Sequence, residues 1–249
     1  MSAADTLINE IAKEVMALEE GPYGEAILAD PCREPPPPPE AFLAPEPDVL
    51  VPPVEPGLIE RIAAERRLNG VYIPMQSPGE IILMRHNLRL HYWTLICHLQ
   101  PRIPYLTKAD LLAALELVVG NTYHHERFHH ASDVLRRLFG SRFDPLLEEA
   151  LADAWARRVL TQTRGVWNSK IGRMNGLLYR LLMQEVFAYR SPGYCDWPLY
   201  ADESRFQTAL LDYLAPPDYR MLLTNGVELG ELLMRMLENV SGGYVDRVM

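Results

Sequence analysis

The sequence predicts a mainly helical α+β protein with a small β-sheet, and three observations carry that reading. Apolar residues recur at helical intervals through most of the chain after Pro56. Two short apolar runs flank one turn-forming tetrapeptide, the pattern of a hairpin. Apolar residues make up 48% and charged residues 23%, the balance of a chain that buries a core. At 249 residues the chain is long enough for one or two domains.

The elements follow in order. Over residues 5–20, Leu7, Ile8, Ile11, Val15, Met16 and Leu18 sit at helical spacing, so residues 1–30 read as a short acidic N-terminal helix. Residues 31–57 read as a proline-rich linker. Pro31 to Pro56 contains 11 of the 21 prolines, and proline lacks the amide hydrogen and fixes φ, so helix and sheet interior are both excluded there. Residues 58–249 read as the folded body. Leu58 to Leu68 predicts a helix ended by Asn69-Gly70. Val71 to Pro74 and Glu80 to Met84 flank Gln76-Ser77-Pro78-Gly79 as the two strands of the hairpin. Leu88, His91, Tyr92, Leu95, Ile96 and Leu99 mark the next helix. Thr107 with Asp110 is a capping-box start for a helix of about thirty residues, with Gly120 the place for a kink or interruption. Asp144-Pro145 opens a helix over 145–160, an N-cap followed by proline at the first helical position. Further helices are expected near 165–188, 202–214 and 227–239.

Composition excludes several function classes. Residues 1–60 carry a net charge of −11 and residues 61–249 a net charge of +2, an acidic arm on a nearly neutral body. Neither part has the basic excess of a nucleic-acid binder. No apolar run approaches the ~18 residues of a membrane helix, and the first twenty residues lack the basic head and apolar centre of a signal peptide. Cys32, Cys97 and Cys195 are odd in number and widely spaced, so the expectation is no disulfide framework and a cytoplasmic, reducing location. The acidic proline-rich arm is either a solvated tether or a segment that binds a protein partner or lies across the body.

The chemistry-bearing segment is Tyr123-His124-His125-Glu126-Arg127-Phe128-His129-His130. Within it, His125-Glu126-x-x-His129 places two imidazoles at i and i+4 on one helix face, where both reach one metal ion. Glu126 follows the first histidine and can take a proton from a water beside that ion. Two neutral imidazoles and one carboxylate, with an open fourth position, suit Zn2+. Nineteen residues separate His129 from Glu149, and Glu149 and Asp153 again stand at i and i+4 on the next helix.

This pattern resembles the gluzincin metallopeptidases, in which a glutamate on a second helix is the third zinc ligand. The thermolysin branch has the same nineteen-residue gap and an E-x-x-x-D pair. By that resemblance Glu149 is the third ligand and Asp153 holds His125 in its ligating tautomer. Ala150 and Ala152 are similar to the E-G-x-A pattern of related zincins. Glu148, at the eighteen-residue spacing of the aminopeptidase branch, is the rival ligand, but only Glu149 gives the Glu/Asp pair. The resemblance spans about 30 residues, Tyr123 to Trp155.

What it implies is a zincin-like core and a zinc-dependent hydrolase acting on a peptide or protein. The compact size looks like cytosolic zincins of the ImmA/IrrE type, hence a regulatory or defence role. An extended substrate is expected to pair with an edge strand at Glu80 to Met84. One departure stands out. Thermolysin-like enzymes use a downstream histidine to steady the oxyanion, and here all seven histidines lie at or before the motif. The loop Tyr189 to Trp197 is the natural source of a substitute, with Tyr194 the candidate. The same departure fits a different class, a degenerate zincin-fold protein that binds a partner through its arm. His124 and His130 are expected off the metal face, and His86, His91 and His98 are spaced too poorly to share a metal.

Overall fold

Several helix starts in this chain are set by side chains that take up the first orphan amides. The computed structural model describes residues 2–33, 61, 69–73, 79–188, 191–215, 226–240 and 244–249. Helix α1 (Ala3–Ala17) opens with a reciprocal capping box between Ser2 and Asp5. After it come strands β1 (Gly70–Ile73) and β2 (Gly79–Leu83), then helix α2 (Arg85–Leu99). Helix α3 (Lys108–Phe139) has a second capping box, Thr107 with Asp110, and ends at Gly140 in the left-handed region, φ 68°. Helix α4 (Pro145–Gly165) starts at the Asp144 cap with proline in its first turn. Then follow α5 (Lys170–Arg173), α6 (Gly176–Val186), a 3-10 turn (Tyr194–Tyr200), α7 (Glu203–Leu214), α8 (Gly226–Asn239) and strand β3 (Tyr244–Val248). The predicted helix Leu58 to Leu68, nearly all of the proline-rich segment, the turn residues Gln76 to Pro78, and Tyr189 with Arg190 fall outside the described residues, Arg61 excepted.

The mainly helical chain with a small sheet is as expected, with three local differences. Helix α3 runs unbroken through Gly120. A Cβ there would meet Leu160 Cδ2 at 3.6 Å, ordinary contact, and the buried Leu117, Val118, Val119 and Asn121 pack the helix into the protein on both sides of it. The single helix expected over 165–188 is instead the end of α4, the short α5 and α6. Ser169 Oγ accepts from Gly172 N and Asn175 Oδ1 accepts from Leu177 N and Leu178 N, so side chains compete with the helical ladder. The Arg164 guanidinium takes the carbonyls of Ile171, Gly172 and Met174 in the same break.

The third difference concerns the sheet. Its strand order is β1-β2-β3, with β1 and β2 antiparallel and β3 parallel to β2. Glu80 to Leu83 is therefore the central strand, with β1 on one side and the C-terminal β3 on the other. The expectation that this segment offers a free edge to substrate is corrected: its backbone groups are already paired.

The N-terminal helix is built into the core rather than carried on an arm. Leu7, Ile11 and Val15 are buried in the same cluster as β2, α2, α6 and the first half of α3. Its acidic side chains face cations one turn apart on α2, Glu10 with Arg85 and Glu14 with Arg89, while Trp93 Nε1 donates to Glu14. Lys108 donates to the Met16 carbonyl. The charge that reads as an acidic arm is thus partly neutralised by the body, though these exposed pairs add little stability. A second cluster joins Phe128, Leu135, Leu151 and Trp155 of α3 and α4 to Phe206, Leu210 and Leu214 of α7 and Leu233 and Leu237 of α8. The 32-residue α3, about 48 Å long, passes through both clusters.

The cysteine expectation is also corrected. Cys32 and Cys97 form a disulfide that ties the segment after α1 to the last turn of α2, and Cys195 is free and exposed. Spacing in sequence could not reveal the pair, because folding α1 onto α2 brings the cysteines together across 65 residues. The odd cysteine count therefore gives no argument for a reducing compartment. Among the described residues, no helix is long and apolar enough to cross a membrane. Thiol titration of the native protein should find one reactive group, Cys195, and three after denaturation with reductant. Three thiols in the denatured but unreduced chain would contradict the pairing.

Candidate metal centre

Helices α3 and α4 run antiparallel against each other, and their facing residues make the site. His125 and His129 lie one turn apart on α3; Glu148, Glu149 and Asp153 lie on the opposing face of α4. The antiparallel pairing fixes who meets whom. His125 Nδ1 lies 2.8 Å from Asp153 Oδ1, and His129 Nδ1 lies 2.9 Å from Glu148 Oε1. Glu149 falls between the two rings, its Oε2 3.0 Å from His125 Nε2 and 3.3 Å from His129 Nε2. The two Nε2 atoms are 3.0 Å apart.

These distances have a chemical consequence. An ionised carboxylate can only accept, so a neutral imidazole at either position would carry its proton on Nδ1 and donate it, His125 to Asp153 and His129 to Glu148. In that neutral state both Nε2 atoms would turn lone pairs toward each other and toward the Glu149 oxygen. Three acceptors meeting in a dry space repel unless a cation lies among them. Their separations of 3.0–3.3 Å approach the edge of about 3.3 Å expected for tetrahedral ligands at about 2.0–2.1 Å from a metal. The buried His125, His129 and Glu149 can therefore bind a metal ion. Burial pushes the Glu149 carboxyl up, but positive charge on the His129 and His125 rings, in the place a cation would take, outweighs it and holds this group well below its ordinary range, so it is available as an anionic ligand.

Glu148 is outside the ligand set. It holds the far nitrogen of His129, as Asp153 holds the far nitrogen of His125. Its second oxygen accepts the Tyr213 hydroxyl from α7. Burial and the Glu148 charge push that phenol well above its usual value, so it keeps its proton to donate.

Glu126, the residue after the first histidine, is 1% exposed. Strand β1 crosses directly over it: a Cβ on Gly70 would fall 2.7 Å from Glu126 Oε1 and 2.6 Å from Thr122 Cγ2. Glycine at this position is what allows the strand to approach the helix. Tyr194 comes to the site through Gly193, whose φ of 85° a side chain would strain and whose Cβ would strike the Leu146 carbonyl at 2.9 Å. This turn seats the 3-10 segment on α4. The buried Tyr194 ring then stacks on His125 at 5.6 Å between centroids and 4° between planes. Arg157 on α4 grips the same segment through the Trp197 ring, 4.7 Å from its centroid.

The other histidines have separate places. His130 is buried between Tyr72 and Tyr244, and the Tyr72 hydroxyl donates to Asp133 at 3.1 Å. Burial lowers His124 to about 4, and it lines a 190 Å³ cavity with Arg127, Trp155 and Glu238. His91 is buried, lowered to about 4 by that burial, and its Nδ1 accepts from Asn69 Nδ2 at 2.6 Å. His86 and His98 are exposed.

The structure thus brings together His125, His129, Glu149, Asp153 and Tyr194, with Glu126 on the same helix under β1. The roles of Glu148, Tyr213 and Gly70 are missing from the sequence reading. Glu148 carried a signal, a carboxylate next to the ligand on an antiparallel helix. Tyr213 carried none, since it arrives from a helix 65 residues further along.

No family model matches the chain, and no match is found among curated proteins or solved structures.

Metal analysis should find one bound metal ion per chain, lost in His129→Ala and in Glu149→Ala. Glu148→Ala should keep the one-to-one stoichiometry with weaker affinity, by about 10–100-fold. Retention of the metal in Glu149→Ala with its loss in Glu148→Ala would reverse the assignment.

Proposed function

We propose that this chain is a zinc-dependent metallopeptidase of the gluzincin type, hydrolysing peptide bonds in a peptide or protein. The observation that supports it most is the convergence of His125 Nε2, His129 Nε2 and Glu149 Oε2, on the helix that also carries Glu126. Two imidazoles, one carboxylate and an open position are the donor set zinc takes in hydrolases.

A bound zinc ion would supply Lewis acidity, polarising the substrate carbonyl and acidifying water. The chain's own residues do the rest. Asp153 and Glu148 hold the two imidazoles in the tautomer that leaves Nε2 free. Glu126 takes the proton from the attacking water and delivers it to the departing amine. Tyr194, stacked on His125, is the group best placed to stand in for the missing downstream histidine and steady the developing oxyanion. With β2 enclosed, β1 is the strand to which an extended substrate would add, since its Gly70 already lies against Glu126.

One observation favours a second reading. His125, Glu126, His129, Glu149 and Asp153 are all 5% exposed or less, burial that suits a metal that holds α3 to α4 rather than one that meets substrate. In that reading the protein is a zincin-like interaction module and its acidic, proline-rich segment binds a partner.

Glu126→Gln separates the two without knowledge of the natural substrate. General acid–base help is worth about 10²–10⁴ in rate, so cleavage of any peptide found in a mixed library should fall at least about a hundredfold while zinc content and melting temperature hold. Cleavage at the wild-type rate by Glu126→Gln, or none by the zinc-loaded wild type, would set the peptidase reading aside.

A further inference from the structure

Outside the ligands themselves, a buried polar contact between Glu148 and Tyr213 links the metal centre to α7. Tyr213 lies near the end of α7 and is 6% exposed. Its ring belongs to the second core cluster, with Phe206, Leu210 and Leu214 from the same helix and Leu151 and Trp155 from α4. Its hydroxyl donates to Glu148 Oε2, while Glu148 Oε1 faces His129 Nδ1 at 2.9 Å. Glu148 is 2% exposed and His129 fully buried, so water cannot take over from either partner. The carboxylate is held at both oxygens, one by the ligand and one by α7.

We infer that Tyr213 is a positioning residue for the metal centre: its hydroxyl fixes the Glu148 carboxylate, which fixes the His129 ring, so metal affinity depends on the docking of α7. This rests on the metal reading above. Removing the hydroxyl leaves a buried carboxylate oxygen without its donor. The carboxylate then turns, and His129 loses the partner that keeps its Nδ1 proton and its ring angle. The metal feels this through a ligand that Tyr213 never touches. Tyr213→Phe keeps the ring that packs against the core, so the loss appears at the metal rather than in the fold.

The test is zinc affinity of the full chain by competition with a chromophoric chelator, with the visible spectrum of the cobalt-substituted protein as a readout of ligand geometry. Tyr213→Phe should weaken zinc about 10–100-fold and shift the cobalt bands. Glu148→Gln should do the same. The double variant should lose little more than Glu148→Gln alone, because the hydroxyl acts only through that carboxylate. Wild-type affinity and an unshifted cobalt spectrum in Tyr213→Phe would overturn the inference, as would fully additive losses in the double variant. Should Tyr213→Phe not fold, an unchanged cobalt spectrum in Glu148→Gln overturns it alone. If the wild type binds no metal, the metal reading falls and takes this inference with it; if it binds zinc and the variants are silent, only the inference falls.

Discussion

Three hydrogen-bond acceptors facing one point is the constraint on which the rest of this structure turns. Two imidazoles that, when neutral, spend their protons on Asp153 and Glu148 would have only lone pairs left for each other and for Glu149. Such a cluster is tolerable in a dry interior only with positive charge at its centre. Protons can serve in part, but a divalent ion satisfies all three at once. The four carboxylates of Glu126, Glu148, Glu149 and Asp153, all nearly or fully buried, make the same demand collectively.

Everything that positions the cluster follows from one antiparallel helix pair. A turn of α3 sets the His125–His129 spacing and a turn of α4 sets Glu149–Asp153; running the helices in opposite directions matches the first histidine with the last acid. The two core clusters flank this pair. The first anchors α3 through β1, β2 and α1, and the second anchors α4 through α7 and α8. A strand and a turn complete the site where glycine permits close approach: Gly70 brings β1 over Glu126, and Gly193 brings Tyr194 against His125.

What was legible in the sequence was local in sequence. The capping box at Thr107, the N-cap at Asp144, the histidine pair and the Glu149/Asp153 pair all rest on separations of three or four residues, which helical geometry converts directly into position. What was not legible depended on segments far apart. Strand β3 meets β2 across more than 160 residues and turns the expected edge into a centre. Helix α1, whose acidic face suggested a detached arm, finds Arg85 and Arg89 on α2 and a core for Leu7 and Ile11. The Cys32–Cys97 bond and the Tyr213 contact are set by the same long-range packing, to which periodicity and composition are blind. Glu148 lies between the two cases. Its proximity to the site was readable, but whether it faced Nε2 or Nδ1 of His129 depended on the rotation of α4 about its axis.

The proposed reading is that His125, His129 and Glu149 surround a single zinc ion through two imidazole nitrogens and a carboxylate oxygen. X-ray absorption at the zinc edge tests it most directly. The account predicts a four-coordinate shell of nitrogen and oxygen at about 2.0–2.1 Å, with the outer scattering of two imidazole rings. A sulfur scatterer near 2.3 Å, which would place the metal on a cysteine, or a shell without imidazole would contradict it.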